Sequence, residues 1–132
     1  MKEVYEWPPN IEEIRKVFTF TRKVIFAYGD IMYNPDRVRL DPYITAHEEV
    51  HQKQQAAHPG GVEGWWKDYL ADVQFRIAQE VPAYREQYRR AAHFIKDSQR
   101  CRGYADALAK ALSGDTYGNC MSYEEALKEI TL

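Results

Sequence analysis

The residues whose types and spacing carry the clearest chemistry lie in the run AHEEVHQKQQ, residues 46–55. His47, Glu48 and His51 fit the pattern H-E-x-x-H. On an α-helix, side chains four residues apart lie roughly 40° and 6 Å from each other, so both imidazoles can reach one tetrahedral metal ion. A glutamate next to the first histidine can then accept a proton from a metal-bound water. The pattern predicts a zinc site with Glu48 as general base, and the alternative is an ordinary polar helix face.

The motif needs a third protein ligand, and the nearby sequence does not supply one. Gln54 and Ala57 stand where the longer motif H-E-x-x-H-x-x-G-x-x-H has glycine and histidine. His58 follows His51 by seven residues and shares nearly the same helix face. It lies about 10 Å further along the helix axis, which is too far for the same ion unless the helix breaks early.

Glu80, in the segment AQEVPAYREQY, is the best candidate for the third ligand. Its apolar neighbours include Ile77 and Val81, which indicates an inward face where an unpaired carboxylate is costly. Pro82 removes one helical hydrogen bond and is expected to kink or restart the helix just past Glu80. Asp72 is expected to serve as an acceptor for a histidine N–H. The alternative role for Glu80 is a structural salt bridge.

Helical patterns predominate among the elements that must position these residues. NIEEIRKVF predicts a first helix capped by Asn10. Asp41 as cap and Pro42 at the first position predict a helix that carries the motif and ends at Pro59-Gly60-Gly61. VEGWWKDYL, the long pattern DVQFRIAQEVPAYREQYRRAAHFIKD and YADALAKAL follow as helical segments. Ser122 and Glu125 then predict a capping box for the last helix.

A small β element is predicted on the N-terminal side. KVIFAYGDIMYNP is rich in β-branched and aromatic residues and contains Gly29-Asp30, so it predicts two short strands about a tight turn. RVRL is a candidate for a further strand. The fold class is therefore α+β, mostly helical, with a small antiparallel β element.

Several side chains near the motif are interpreted as structural. Gln52, Gln54 and Gln55 are expected on a helix surface, with the alternative that a glutamine one turn past His51 holds the ligands or a neighbouring loop. Trp65 and Trp66 are expected in the core or at its rim.

The composition bounds the classes of function. The chain has 132 residues, which predicts one domain spanning 1–132, and its 18 basic and 20 acidic side chains are nearly balanced. This balance argues against binding to nucleic acid, and the absence of long apolar runs argues against a membrane partner and predicts a cytoplasmic protein. Cys101 and Cys120 are expected to be unpaired. The oligomeric state is left open.

The motifs resemble those of known zinc peptidases. HEEVH followed by EVPAY resembles the paired motifs of small gluzincin-type zincins, with Tyr84 where many of those families carry aspartate. Together with YGDIMYNP, WWKDYL and TYGNCMSYEEA, these blocks are similar to a family of short phage and prophage-type proteins built as minimal zincins. The resemblance spans roughly residues 24 to 130.

The resemblance implies His47, His51 and Glu80 as zinc ligands and Glu48 as general base. It also implies that the strand around GDIMY lies beside the active-site helix as the edge on which a peptide pairs.

The resemblance leaves open which residue replaces the aspartate that many of these families carry at the position of Tyr84. Tyr84 lies one turn beyond Glu80 and is a candidate to stabilise an oxyanion, as is Tyr117 in the loop DTYGN. The alternative for both tyrosines is a half-buried packing role.

The expected function is hydrolysis of a peptide or protein substrate with one Zn²⁺ per chain and Glu48 activating the water in the fourth position. The expected location becomes the bacterial host cell if the gene belongs to a phage or prophage. One alternative is a catalytically inactive zinc-binding structural or phage-assembly protein with a zincin fold. Another is a metal-free helical adaptor, in which Glu80 points away from the histidines.

Overall fold

The computed structural model describes residues 1–132 and shows a mostly helical α+β fold. The helices are α1 (Ile11–Val17), α2 (Pro42–Ala57), α3 (Gly61–Ala71), α4 (Val73–Phe94), α5 (Ser98–Ser113) and α6 (Tyr123–Ile130). The strands are β1 (Lys2–Val4), β2 (Phe26–Tyr28) and β3 (Ile31–Tyr33), and a short 3₁₀ turn covers Asp115–Tyr117. No helix combines the length and apolar character that a bilayer crossing requires.

The sheet confirms the predicted hairpin and corrects the prediction of the third strand. β2 and β3 pair antiparallel about Gly29, whose φ of 64° is the left-handed conformation that glycine adopts without strain. The third strand is β1, which pairs parallel to β3, so the sheet is mixed and its order is β1-β3-β2. The prediction that RVRL is a strand is wrong. Val38 N–H donates to Asn34 Oδ1 at 2.9 Å, and this bond folds the segment into a turn.

Helix α2 begins and ends where the sequence predicts. Asp41 Oδ1 accepts from the backbone N–H groups of Tyr43 at 2.9 Å and Ile44 at 2.8 Å, so the predicted cap is confirmed. The helix ends at Ala57. The next residue, His58, has Nε2 2.8 Å from Asp68 Oδ2, and its Nδ1 accepts from the backbone N–H of the glycine at position 60. His58 is thus held in a surface turn, away from the motif histidines.

The other predicted caps have mixed outcomes. Ser122 Oγ accepts from Glu125 N–H at 3.1 Å, which confirms the serine half of the capping box. Asn10 precedes α1 but makes no side-chain cap bond, and its two amide atoms are buried without a partner. Its backbone, with φ −99° and ψ 22°, lacks the extended conformation of a side-chain cap.

Helix α4 runs through Pro82 as one element, so the prediction that the helix restarts past Glu80 is wrong. A proline costs about 3 kcal/mol in a helix interior, because it removes one hydrogen bond and crowds the preceding turn. Val81, Ala83 and Tyr84 are buried around it, and this packing outweighs the local penalty. Asp72 caps α4 by accepting from the backbone N–H groups of the next turn, at 2.9 Å and 3.2 Å. The prediction that Asp72 accepts a histidine N–H is therefore wrong.

Two apolar clusters flank the motif helix. The first joins α1, the sheet and α3, and its buried members are Ile14, Phe18, Phe26, Tyr33, Trp65, Trp66 and Tyr69. The second joins α4, α5 and α6, and its buried members are Val81, Tyr84, Leu108, Ala109, Leu112, Ala126 and Ile130. Tyr117 packs against both clusters. Both tryptophans of α3 are in the core, and both cysteines are unpaired.

Candidate metal centre

Helices α2 and α4 bring His47, His51 and Glu80 together in the interior. The Nε2 atoms of His47 and His51 each lie 3.3 Å from Glu80 Oε1. The three ligand atoms lie within 4.8 Å of one another, and all three residues are buried. Four-residue spacing on α2 explains why the two imidazoles are adjacent. The apolar context of Glu80 correctly indicated an inward-facing carboxylate.

The geometry of these three groups fits a metal ion. Glu80 Oε1 is buried and accepts no hydrogen bond of good geometry, which is a costly state for a carboxylate oxygen unless a cation lies beside it, either a metal ion or a protonated histidine. Ligands at about 2.0–2.1 Å from a tetrahedral zinc ion lie roughly 3.3 Å from one another. Two of the three separations, those of 3.3 Å between each histidine nitrogen and Oε1, match that spacing, and all three ligand atoms lie within 4.8 Å of one another. Two nitrogens and one carboxylate oxygen are also a donor set that zinc accepts.

Two glutamines orient the imidazoles so that each Nε2 faces the centre. Gln54 Oε1 lies 2.8 Å from His51 Nδ1, and Gln87 Oε1 lies 2.9 Å from His47 Nδ1. An amide oxygen only accepts hydrogen bonds, so each Nδ1 carries the proton and the Nε2 of a neutral ring keeps its lone pair. Gln54 is itself fixed, because its Nε2 donates to a backbone carbonyl of α4 at 3.0 Å. Such contacts set the tautomer of metal-binding histidines.

His51 and Glu80 each shift the pKa of the other, so the two groups are electrostatically coupled. Burial opposes a charge on His51, yet the adjacent Glu80 carboxylate raises the pKa of its imidazole to about 9. Burial likewise opposes ionisation of Glu80, but the two histidines lower the pKa of its carboxyl group. Without a cation at the centre, a proton on His51 therefore balances the Glu80 charge.

Glu48 lies beside the two histidines. Unlike them, it makes no close contact with the Glu80 carboxylate. Its side chain is buried and lines the same cavity as His47, His51 and Glu80. Burial raises the pKa of its carboxyl group, against the opposite effect of the two histidines. A carboxylate with a raised pKa is a stronger base, which suits a group that must take a proton.

Three tyrosines surround the carboxylate of Glu80. Tyr69 donates from its hydroxyl to Glu80 Oε2, so this oxygen is satisfied while Oε1 is not. The ring of Tyr84 lies 4.4 Å from that of His47, and its hydroxyl is 2.7 Å from the hydroxyl of Tyr117. Burial, followed by the negative charge of Glu80, raises the pKa of all three phenols. They remain neutral hydrogen-bond donors near neutral pH.

The hairpin is joined to α2 by Gln55, which is fully buried. Its Nε2 donates to Ala27 O, and its Oε1 accepts from the backbone N–H of Gly29, each at 2.8 Å. Trp66 Nε1 also donates to Ala27 O at 3.1 Å. The edge of β2 that faces α2 is therefore occupied. Gln54 is half-buried and Gln55 is buried, so neither is a plain surface residue. The alternative of a glutamine that holds the ligands fits Gln54, and that of a glutamine that holds a neighbouring loop fits Gln55.

The strand around GDIMY is not a free edge of the sheet, so the prediction that a peptide pairs with this strand is wrong. It forms β3, which pairs with β1 on one side and β2 on the other. A three-residue strand at the N-terminus, with too little apolar pattern to be predicted, fills the position expected to be open.

Two connected spaces meet at the motif. An inner cavity of about 40 Å³ is lined by His47, Glu48, His51 and Glu80 and closed by aromatic and aliphatic side chains. An open cleft of about 220 Å³ shares His47 and Glu48 with it. Tyr117 lines both spaces, whereas Tyr84 lines only the cleft.

The chain matches no known family model, no curated protein and no solved structure.

The structure brings all six predicted site residues to one place. The sequence reasoning missed Tyr69 and Gln87, whereas the contact of Gln54 with His51 fits the alternative of a glutamine that holds the ligands. Gln54 follows His51 by three residues and Gln87 follows Glu80 by seven, which are spacings that share a helix face. Tyr69 comes from α3, and no local spacing could have indicated it.

Proposed function

We propose that this protein is a zinc-dependent hydrolase that cleaves peptide bonds. The observation that carries the proposal is the unpartnered, buried Oε1 of Glu80, which lies 3.3 Å from two imidazole nitrogens. His47, His51 and Glu80 would hold the metal, one ion per chain. When bound, zinc would supply a Lewis acid that lowers the pKa of water and polarises a carbonyl group.

The surrounding side chains have the properties that hydrolysis needs. The Glu48 carboxylate would take the proton of the attacking water and pass it to the leaving amine. The hydroxyls of Tyr84 and Tyr117 are neutral donors at the wall of the cleft. In their 2.7 Å pair one hydroxyl donates to the other, so the O–H that remains free would donate to the oxygen of the carbonyl under attack, where negative charge develops.

The chain segment before β2 offers a place for an extended peptide. None of the backbone hydrogen bonds outside the helices and strands involves residues 19–25. Val24 and Ile25 of this segment line the open cleft beside His47 and Glu48. A peptide could pair with these free backbone groups as an added strand. This location replaces the GDIMY strand as the proposed substrate edge.

A second candidate is a catalytically inactive zinc protein, for example one used in phage assembly. It is favoured by the burial of all three proposed ligands and by the small volume of the inner cavity, about 40 Å³. A structural site, however, usually has four protein ligands and no adjacent base. The presence of Glu48 in the cavity therefore favours the hydrolase.

The first experiment is metal analysis of tag-free protein by plasma mass spectrometry. About one zinc per chain is expected for the unmodified protein, and a large loss is expected in His51→Ala and Glu80→Ala. No metal after supply of zinc would overturn the proposal and leave Glu80 as a structural carboxylate that pairs with the histidines. The adaptor in which Glu80 points away from the histidines is already excluded by these contacts.

The second experiment separates turnover from metal binding. Hydrolysis of a library of internally quenched peptides is expected to fall at least about a hundredfold in Glu48→Gln, while zinc content is unchanged. Glu49→Gln is the matched control, because Glu49 is the next residue on α2 and lines neither space. Zinc binding without any turnover by the unmodified protein would favour the inactive candidate.

A further inference from the structure

The wall of the open cleft carries an excess of positive charge. Arg22 and Lys23 line it, and Glu48 is the one acidic residue in its wall. Glu48 is buried beside the histidines, whereas Arg22 and Lys23 are exposed. The exposed rim of the cleft is therefore cationic, and the rest of its wall is largely apolar.

Arg22 is held in place by neutral partners. Its Nε donates to Thr116 Oγ1 at 3.2 Å, and its Nη2 donates to Ala111 O at 3.3 Å. A guanidinium has five N–H donors, so these two bonds leave others available to a ligand. The bonds fix the position of the group without neutralising its charge.

No acidic side chain of the protein pairs with Arg22 or Lys23. Neither residue takes part in any ion pair of the structure. Asp115 is adjacent to Thr116 in sequence, but its carboxylate accepts from the Thr21 hydroxyl at 3.2 Å and 3.3 Å. The two cations at the cleft are therefore available to an anionic ligand.

Arg22 also lies close to the reactive end of the cleft, which His47 and Glu48 line with it. Its hydrogen-bond partner Thr116 directly precedes Tyr117, whose hydroxyl is 2.7 Å from that of Tyr84. Tyr84 in turn packs against His47, with 4.4 Å between the two rings. A group bound to Arg22 would lie near the bond that reacts.

We propose that the cleft selects peptides with a carboxylate next to the scissile bond, and that Arg22, assisted by Lys23, determines this specificity. The inference rests on the proposed peptidase function. The carboxylate is either the C-terminal group of the peptide or an aspartate or glutamate side chain. A guanidinium with free donors binds either one by charge-assisted hydrogen bonds.

The test is a binding experiment that does not require turnover. Zinc-loaded Glu48→Gln protein is titrated with one fluorescent peptide in four forms, which combine a C-terminal acid or amide with an internal Glu or Gln. Fluorescence anisotropy is expected to show about tenfold tighter binding of a form with a carboxylate than of the amide form with Gln. The form that gains the affinity identifies the source of the carboxylate.

Matched substitutions assign the preference to Arg22. In the Glu48→Gln background, Arg22→Gln is expected to remove most of the preference, and Lys23→Gln is expected to reduce it. Arg102→Gln removes an arginine of α5 that does not line the cleft and is expected to leave the preference unchanged. Circular dichroism checks that each variant is folded. Because Lys23 makes no side-chain hydrogen bond or ion pair, its variant tests the charge without disturbing the Arg22 contacts.

The outcomes separate this inference from the proposed function. Equal binding of all four forms, including no measurable binding, would overturn the inference, as would a preference that survives both cleft substitutions. Cleavage of neutral and acidic peptides at equal rates by the unmodified protein would support the peptidase and overturn the specificity. Selective binding without cleavage would support the anionic ligand class and contradict the peptidase.

Discussion

Binding of zinc to the metal-free protein is expected to release a proton from His51. Its Nε2 lies 3.3 Å from Glu80 Oε1, and the carboxylate raises the pKa of the imidazole to about 9. A histidine must be neutral at the coordinating nitrogen, so the metal competes with this proton. Because its pKa is raised to about 9, His51 is mostly protonated at pH 7.

The raised pKa of His51 sets the size and the sign of the pH dependence of zinc affinity. Because the pKa is raised, the proton is bound throughout the range below about pH 9. The apparent zinc affinity is therefore expected to increase with pH by about tenfold per unit between pH 6.5 and 8.5, or about 1.4 kcal/mol per unit. The gain is expected to level off as the pH passes about 9.

Isothermal titration calorimetry in buffers with different ionisation enthalpies measures this proton directly. We expect about one proton per zinc at pH 7 from His51. Glu80→Gln is the matched variant, because it removes the charge that holds the proton, and it is expected to bind zinc more weakly and release less than one proton. A zinc affinity that is constant from pH 6.5 to 8.5, with no proton released, would refute the coupling between His51 and Glu80.

Three further substitutions test the supporting structure. Gln55→Ala is expected to lower the free energy of unfolding by about 2–4 kcal/mol, because the Gly29 N–H loses its acceptor and Ala27 O loses one of its two donors. Exposed Lys53→Ala on the same helix is expected to change it by less than about 0.5 kcal/mol in urea denaturation. Asp41→Ala removes the cap of α2 and is expected to cost about 1 kcal/mol in the same assay, and an unchanged midpoint would contradict the capping role. Gln87→Leu is expected to weaken zinc affinity by about tenfold or more in a chelator competition, since the Nδ1 proton loses its acceptor; equal affinity would mean that this contact does not orient the ring.

The local patterns in the sequence predicted the elements that depend on local chemistry. Asp41 and Pro42 define the start of α2, and Gly29 with Asp30 defines the hairpin turn, because caps and tight turns are set by a few adjacent residues. The prediction failed where tertiary contacts decide the outcome. β1 is a strand because it pairs with β3, which is distant from it in sequence. Pro82 is tolerated inside α4 because its neighbours are buried.

The candidate site was predictable as far as its residues lie on regular helical spacing. His47 and His51 are found by their separation of four, and Glu80 by its apolar surroundings. The partners of the site were less accessible to such reasoning. Tyr69 reaches Glu80 from another helix, and the bonding of Gln55 to the hairpin depends on how α2 packs against β2. Only the packed structure shows which polar side chains are buried.

The position of Glu80 in the chain has a consequence for folding. His51 and Glu80 lie on different helices, and all of α3 lies between them in sequence. An ion bound by both would close a loop around α3, much as a disulfide closes a loop. The chain has no disulfide, since Cys101 and Cys120 are both free. The metal centre would then act as a removable cross-link between α2 and α4, and a chelator would loosen the tertiary structure without cutting a covalent bond.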